Sequence, residues 1–229
     1  MSETLTLLTT IIPLALGAAV SPTALMGIIL LLSISKKPKI SGFGYYVGSV
    51  ILILIIIIIG AIIGAGITNT ASHPKPLLAL VDLLVGILLV LFGARRIFKS
   101  QKSPKNRFKV ENASVSRPII FIKGLSFGFV MFLINFSTTL IVLEAGKDIW
   151  ASSAALTGKI LVIFVLILIT LLVCEIPLLM YLIFPEKANV ILSKVNVWMQ
   201  KNGHILMGLV ILVIGVYLIW IGLFRLGII

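Results

Sequence analysis

Six apolar runs set the first limit on what this chain can fold into. They lie near residues 5–32, 42–67, 77–94, 118–143, 157–183 and 204–226, and each is long enough, at about 1.5 Å per residue, to cross about 30 Å of hydrocarbon. Such surface stays exposed only in a bilayer. The composition agrees, since 60% of the 229 residues are hydrophobic and only 11% are charged, against about 25% charged in an ordinary globular domain. A soluble fold is excluded. The chain reads as an all-α integral membrane protein with six transmembrane helices. Its opening residues, Met1 to Thr10, contain no Lys or Arg, so the positive region of a secretory signal peptide is missing and the first run is expected to be retained.

The 19 Lys and Arg against 7 Asp and Glu give a formal charge of +12, which in a soluble protein would suggest a nucleic-acid partner. In a membrane protein it reads first as topology. Lys36, Lys37 and Lys39 follow the first run, a basic stretch from Arg95 to Arg117 follows the third, and Lys187, Lys194 and Lys201 follow the fifth. Lys123, just inside the fourth run, falls on the same side, which leaves Lys75, Lys147, Lys159 and Arg225 for the other. The positive-inside rule then places both termini outside. The linker at 95–117 is expected to be a cytoplasmic loop separating a first three-helix repeat (1–94) from a second (118–229), and it could also attract anionic headgroups. Nucleic acid is not an expected partner. The sequons at Asn112-Ala113-Ser114 and Asn135-Phe136-Ser137 are chance matches on this topology.

The two halves echo each other. Span three carries Gly86 and Gly93 before Arg95, and span six carries Gly215 and Gly222 before Arg225. Residues seven apart lie on one helix face two turns apart, so each pair offers a smooth groove for close contact. An odd number of spans per half makes the halves antiparallel, which is the inverted repeat common among secondary transporters. That plan also places interruptions in corresponding helices. Pro22 interrupts span one at Ser21-Pro22-Thr23, removing a backbone donor and leaving the carbonyl near Ala18 without a helical partner. Span four concentrates Asn135, Ser137, Thr138 and Thr139 in the middle of an apolar run, where polar side chains persist when they face protein or water. A simple kink or interhelical hydrogen bonding would produce the same residues without transport.

Asp82 in span three and Glu175 in span five are acids within apolar runs, and burying such a charge costs about 2.5–3.5 kcal/mol on insertion scales. Each should have a partner. By depth, Lys159 is expected beside Asp82 and Lys123 beside Glu175, as structural pairs or as coupling and gating groups. Between Glu186 and Asn202, apolar and polar positions alternate at helical spacing with Lys187, Lys194 and Lys201 seven apart. This suits either a helix in the cytoplasmic interface anchored by Trp198 or a plain connecting helix. His73 and His204 have no acid or Cys at ligand spacing, and Cys174 is alone, so no metal centre, disulfide or cofactor is expected. No phosphate-binding loop appears, and no catalytic constellation points to an enzyme.

The stretch Pro13-Leu14-Ala15-Leu16-Gly17-Ala18-Ala19-Val20-Ser21-Pro22, the segment Gly42 to Gly48, and the closing stretch from Trp198-Met199 through Asn202 to Gly208, Gly215 and Gly222-Leu223 resemble the peptidoglycolipid-addressing protein family, of sulfolipid-addressing type, within the lysine exporter superfamily. The resemblance covers nearly the whole chain. That superfamily commonly carries Asn-Pro-Lys in span four, where this chain reads Asn135-Phe136-Ser137, so the asparagine carries over while the proline, its sharp break and the lysine do not. The resemblance implies a six-helix exporter driven by an ion gradient, working in the plasma membrane of a prokaryote.

Together these readings give a secondary transporter that moves an amphipathic, lipid-like or glycolipid substrate outward by alternating access. Ser21, Pro22, Thr23, Asn135, Ser137 and Thr138 would bind substrate, while Asp82, Glu175, Lys123 and Lys159 would serve coupling or gating. Expected partners are membrane lipids, a lipid-like or small-molecule substrate, a coupling proton or cation, and a second copy of the chain in a homodimer. Two alternatives stand beside this reading. One is export of a small polar solute such as an amino acid, and the other is a non-transporting scaffold for envelope assembly.

Overall fold

The structure is a computed structural model that describes residues 2–70, 74–98 and 116–228. Its elements are α1 (Ser2–Ala19), α2 (Pro22–Ile34), α3 (Pro38–Thr70), α4 (Pro74–Phe98), α5 (Arg117–Leu133), α6 (Phe136–Ala151), α7 (Leu156–Ile183) and α8 (Pro185–Arg225). No strand occurs among the described residues. Four stretches, Pro38–Thr68, Pro76–Ile97, Leu156–Ile183 and Lys201–Arg225, are each long and apolar enough to cross a membrane. The pairs α1 with α2 and α5 with α6 pass the same test as bent pairs, which raises the count of crossings to six if each pair is one span. Only 33–39% of the most apolar part of each of the four long spans is buried. The outward remainder carries residues such as Ile62, Leu91, Phe164 and Val213, a surface suited to lipid. This is a multi-pass membrane protein.

The two bends fall where the sequence interrupts its own helices. At the first, 53° between α1 and α2, Pro22 takes the first position of α2, where its missing N–H costs nothing. Ser21 caps that helix by accepting a hydrogen bond from the Ala24 N–H at 3.2 Å. The second bend, between α5 and α6, is sharper at 81° and contains no proline. A sharp break therefore occurs at the position where the absent family proline implied none. Asn135 begins α6, but its side chain caps no backbone N–H of that helix, because it is engaged with the side chains of Ser21, Ser137 and Thr138.

Glycines set how closely the long helices approach. Along α4 and α8, a Cβ on Gly86 would come 2.9 Å from the Gly215 carbonyl oxygen, and one on Gly93 would come 2.9 Å from that of Gly208. The reciprocal contacts are equally tight, and Gly222 closes on Ala79. The rising number on one helix meets the falling number on the other, so α4 and α8 run antiparallel with their glycines interleaved. α3 instead runs parallel to α5 and α6. Gly44 and Gly48 sit against the Phe121 and Leu125 carbonyls, and further along Gly60 and Gly64 sit against those of Leu143 and Lys147. Close backbone approach of this kind is a main source of helix association in lipid, where burial of apolar surface drives little.

Two sequence expectations change at this level. The stretch between Glu186 and Asn202 is not a separate interfacial helix. It is the first part of α8, continuous over 41 residues with a contour length of about 60 Å. Span four also extends beyond residue 143, since α6 continues to Ala151. Of the basic linker at 95–117, only the ends adjoining α4 and α5 are described; the rest, with Asn112-Ala113-Ser114, lies outside the described residues, as do His73 and the side chain of Lys75.

Candidate functional site

The two helix breaks meet. Ser21 from the first and Asn135, Ser137 and Thr138 from the second form one hydrogen-bonded cluster, and each is no more than 3% exposed. The Asn135 amide donates to Ser21 Oγ and, at 2.8 Å, to Thr138 Oγ1. Its carbonyl oxygen accepts from Ser137 Oγ at 3.1 Å. Thr138 Oγ1 in turn donates to the Ala18 carbonyl at 3.1 Å. That carbonyl is the one Pro22 frees from the helix ladder, and it is satisfied from the opposite break. Thr23, half-buried, reaches Ser21 Oγ at 3.4 Å. Pro22 is buried beneath α8, where a Cβ on Gly203 would touch its ring at 3.0 Å. Tyr45 of α3 completes the surroundings by donating to the Ala24 carbonyl at 2.9 Å.

The structure thus brings together all six residues that the sequence singled out for binding. α2 and α6 both begin at this cluster, so two helix N-termini converge on it, and the partial positive charge of their backbone ends favours an anionic group.

The charged residues fall out differently. Asp82 does not meet Lys159. Lys159 lies near the exposed end of α7, donating to the Trp150 carbonyl at 3.0 Å and resting over that indole ring. Asp82, fully buried, pairs with Lys147 and also with Arg225, whose Nη1 lies 2.5 Å from Oδ2. Depth along a run gives no information about which helices are neighbours, and α7 is simply not the helix beside α4 here. Glu175 accepts from Tyr46 Oη at 3.0 Å, and no ion pair joins it to Lys123 among the described residues.

The partners of Asp82 form a second buried cluster. Glu144, Lys147 and Asp148 lie on one turn of α6. Lys147 Nζ is 2.5 Å from Glu144 Oε1 and 3.3 Å from Asp148 Oδ1, and Arg225 Nη2 is 3.0 Å from the same Asp148 oxygen. The sequence reading counted Lys147, beyond span four, and Arg225, at the end of span six, only as charges of the outer side and did not select Glu144 or Asp148. The signal available was their spacing, since positions 144, 147 and 148 share one helix face. The carboxylates of Asp82, Glu144 and Asp148 offer oxygens within 4.8 Å of one another, a spacing that could suit a metal ion. The Lys147 ammonium occupies the place among them, so these residues do not fit one.

Beside this cluster a cavity of about 580 Å³ opens where α1 begins and α6 and α8 end. Its lining includes Glu3, Thr6, Thr10, Ser152, Ser153, Asp148 and Arg225, with Leu7, Leu78 and Phe224 among the apolar contributors.

A family model described as Sap, sulfolipid-1-addressing protein, matches residues 11–224. The chain belongs to that family. No curated protein and no solved structure matches it. The matched region of this sulfolipid-1-addressing family member contains both helix breaks and all but the last residue of the second cluster, Arg225. Membership makes it a lipid-related, multi-pass membrane protein.

Proposed function

We propose that this protein is a secondary transporter that moves an amphipathic, lipid-like substrate with an anionic headgroup toward the outer face of the membrane. The observation that carries the reading is the meeting of two broken helices at one buried polar cluster. Transporters use unwound backbone and half-helix ends in this way to hold a substrate within the membrane.

The packing supports two inverted repeats. α3 lies along both halves of the α5–α6 span, and α7 lies along both halves of the α1–α2 span, as an exchange of the two repeats requires. α4 and α8 are each other's counterpart, and their glycines interleave reciprocally. With termini outside, the basic connections face the cytoplasm and collect anionic headgroups, while the 580 Å³ cavity faces outward. Ser21, Pro22, Thr23, Asn135, Ser137 and Thr138 line the route, and the buried charges set coupling. Kinship with the lysine exporters and placement in a prokaryotic plasma membrane belong to the same reading. Because the cavity lining is rich in hydroxyls and charge, a small polar solute is the second substrate class.

The test is a proteoliposome assay with a fluorescent anionic glycolipid in one arm and labelled amino acids in the other, with and without a proton gradient. Lipid transfer that is lost in Asn135→Ala is the expected result. Amino-acid transfer alone would select the second class. No movement of either would overturn transport and favour a scaffold, and full transfer after replacement of both Ser21 and Asn135 would overturn the role of the polar cluster.

A further inference from the structure

The second cluster is unbalanced in charge. In their ordinary ionised forms Asp82, Glu144 and Asp148 carry three negative charges, and Lys147 and Arg225 carry two positive ones. Glu144 and Lys147 are fully buried and Asp148 is 5% exposed, so the surplus negative charge sits away from water, where an uncompensated ion costs several kcal/mol. Hydrogen bonding is incomplete at the same place. Glu144 Oε2 and Asp148 Oδ2 are buried and accept no hydrogen bond. Carboxylate oxygens of Glu144, Asp82 and Asp148 also lie within 4.8 Å of one another, an arrangement repulsive between carboxylates and relieved once one carries a proton.

We infer that this cluster binds one proton, shared by the Glu144–Asp82 carboxyl pair and exchanged with the cavity through Asp148. The proton supplies the missing positive charge, gives the carboxyl pair a donor, and leaves Lys147 and Arg225 in their ion pairs. On release, the O–H bond of the acid breaks, the electron pair stays on the carboxylate, and the proton passes to cavity water. Asp148 is placed for this transfer, since it contacts both Lys147 and Arg225 and also lines the cavity. The ionisable surroundings come from several packed elements. α4 contributes Asp82, and α6 contributes Glu144, Lys147 and Asp148. α8 contributes Arg225 and, near Asp148, Tyr217. α1 contributes Glu3 at the cavity, and α7 contributes Lys159 near the exposed end. α3 presents Gly60 and Gly64 to this part of α6.

The inference rests on the transporter reading only for its use, as the coupling site, and proton binding can be read without transport. In pH-difference infrared spectroscopy of the full chain in lipid nanodiscs, the wild type should show a protonated-carboxyl C=O band that disappears on alkalinisation. Glu144→Gln, the neutral shape-mimic of the protonated acid, should lose it. Asp82→Asn, which also restores charge balance, should lose it too and serves if the first variant does not fold. Glu175→Gln should keep the Glu144-dependent band. Absence of any such band in the wild type, or its survival in both Glu144→Gln and Asp82→Asn, overturns the proton site. A band of the expected behaviour in a protein that moves neither lipid nor amino acid leaves the proton site standing and overturns the transporter reading instead.

Discussion

Asn135 joins the two halves of the molecule through one side chain, donating to Ser21 and Thr138 and accepting from Ser137. Asn135→Ala removes all three bonds and takes from the buried Ser137 hydroxyl its acceptor, a loss of about 1–3 kcal/mol. Thermal unfolding in detergent should show it as a lower transition temperature, while Thr23→Ala, at the half-exposed edge of the same cluster, should change stability little. The residues of the polar cluster were legible because a polar residue in the middle of an apolar run is costly without a partner, and the sequence shows such residues directly. The charge cluster was not legible in the same way. Hydropathy falls at Glu144, so span four appeared to end there, Lys147 then looked like a loop charge, and Arg225 looked like a flanking charge at the end of span six. Only tertiary packing shows that Asp82 of α4 and Arg225 of α8 converge on this turn of α6.

At the scale of elements, the helices hold together wherever a backbone comes too close for a side chain. A Cβ on Gly48 would lie 2.0 Å from the Leu125 carbonyl oxygen, whereas one on Gly66 would meet nothing within 4 Å. Gly48→Leu should therefore separate α3 from α5 at an overpacking cost of about 1–3 kcal/mol or more, and Gly66→Ala should be tolerated. Comparing the yield of monodisperse protein from the two variants checks this. Gly86, Gly93, Gly215 and Gly222 announced close contact by their spacing, but the spacing could not name the partner helix. Pro22 announced the first break. The second break had no such marker, and there Asn135 turns its side chain to Ser21 of the first break and to Ser137 and Thr138 of its own helix. The stretch from Glu186 to Asn202 was ambiguous because a helix in the interface and the extension of a spanning helix share the same periodicity.

For the whole molecule, the proposed six-span arrangement makes a directional prediction. Cys174, the single cysteine, is buried, so new cysteines can be labelled selectively. With termini outside, Ser153→Cys should react with a membrane-impermeant maleimide on intact cells, and Lys37→Cys only after permeabilisation. The reverse pattern would invert the topology and turn the cavity toward the cytoplasm. α8 then acquires a mechanical meaning. Its Gly203 bears on Pro22 at the first break, and its Arg225 holds Asp82 and Asp148, about 33 Å further along the same uninterrupted helix. A rod held at its middle and at one end transmits travel, so a slide of α8 past α4 would reach the break and the charges in the same stroke. A crosslink fastening those two helices would lock both sites together.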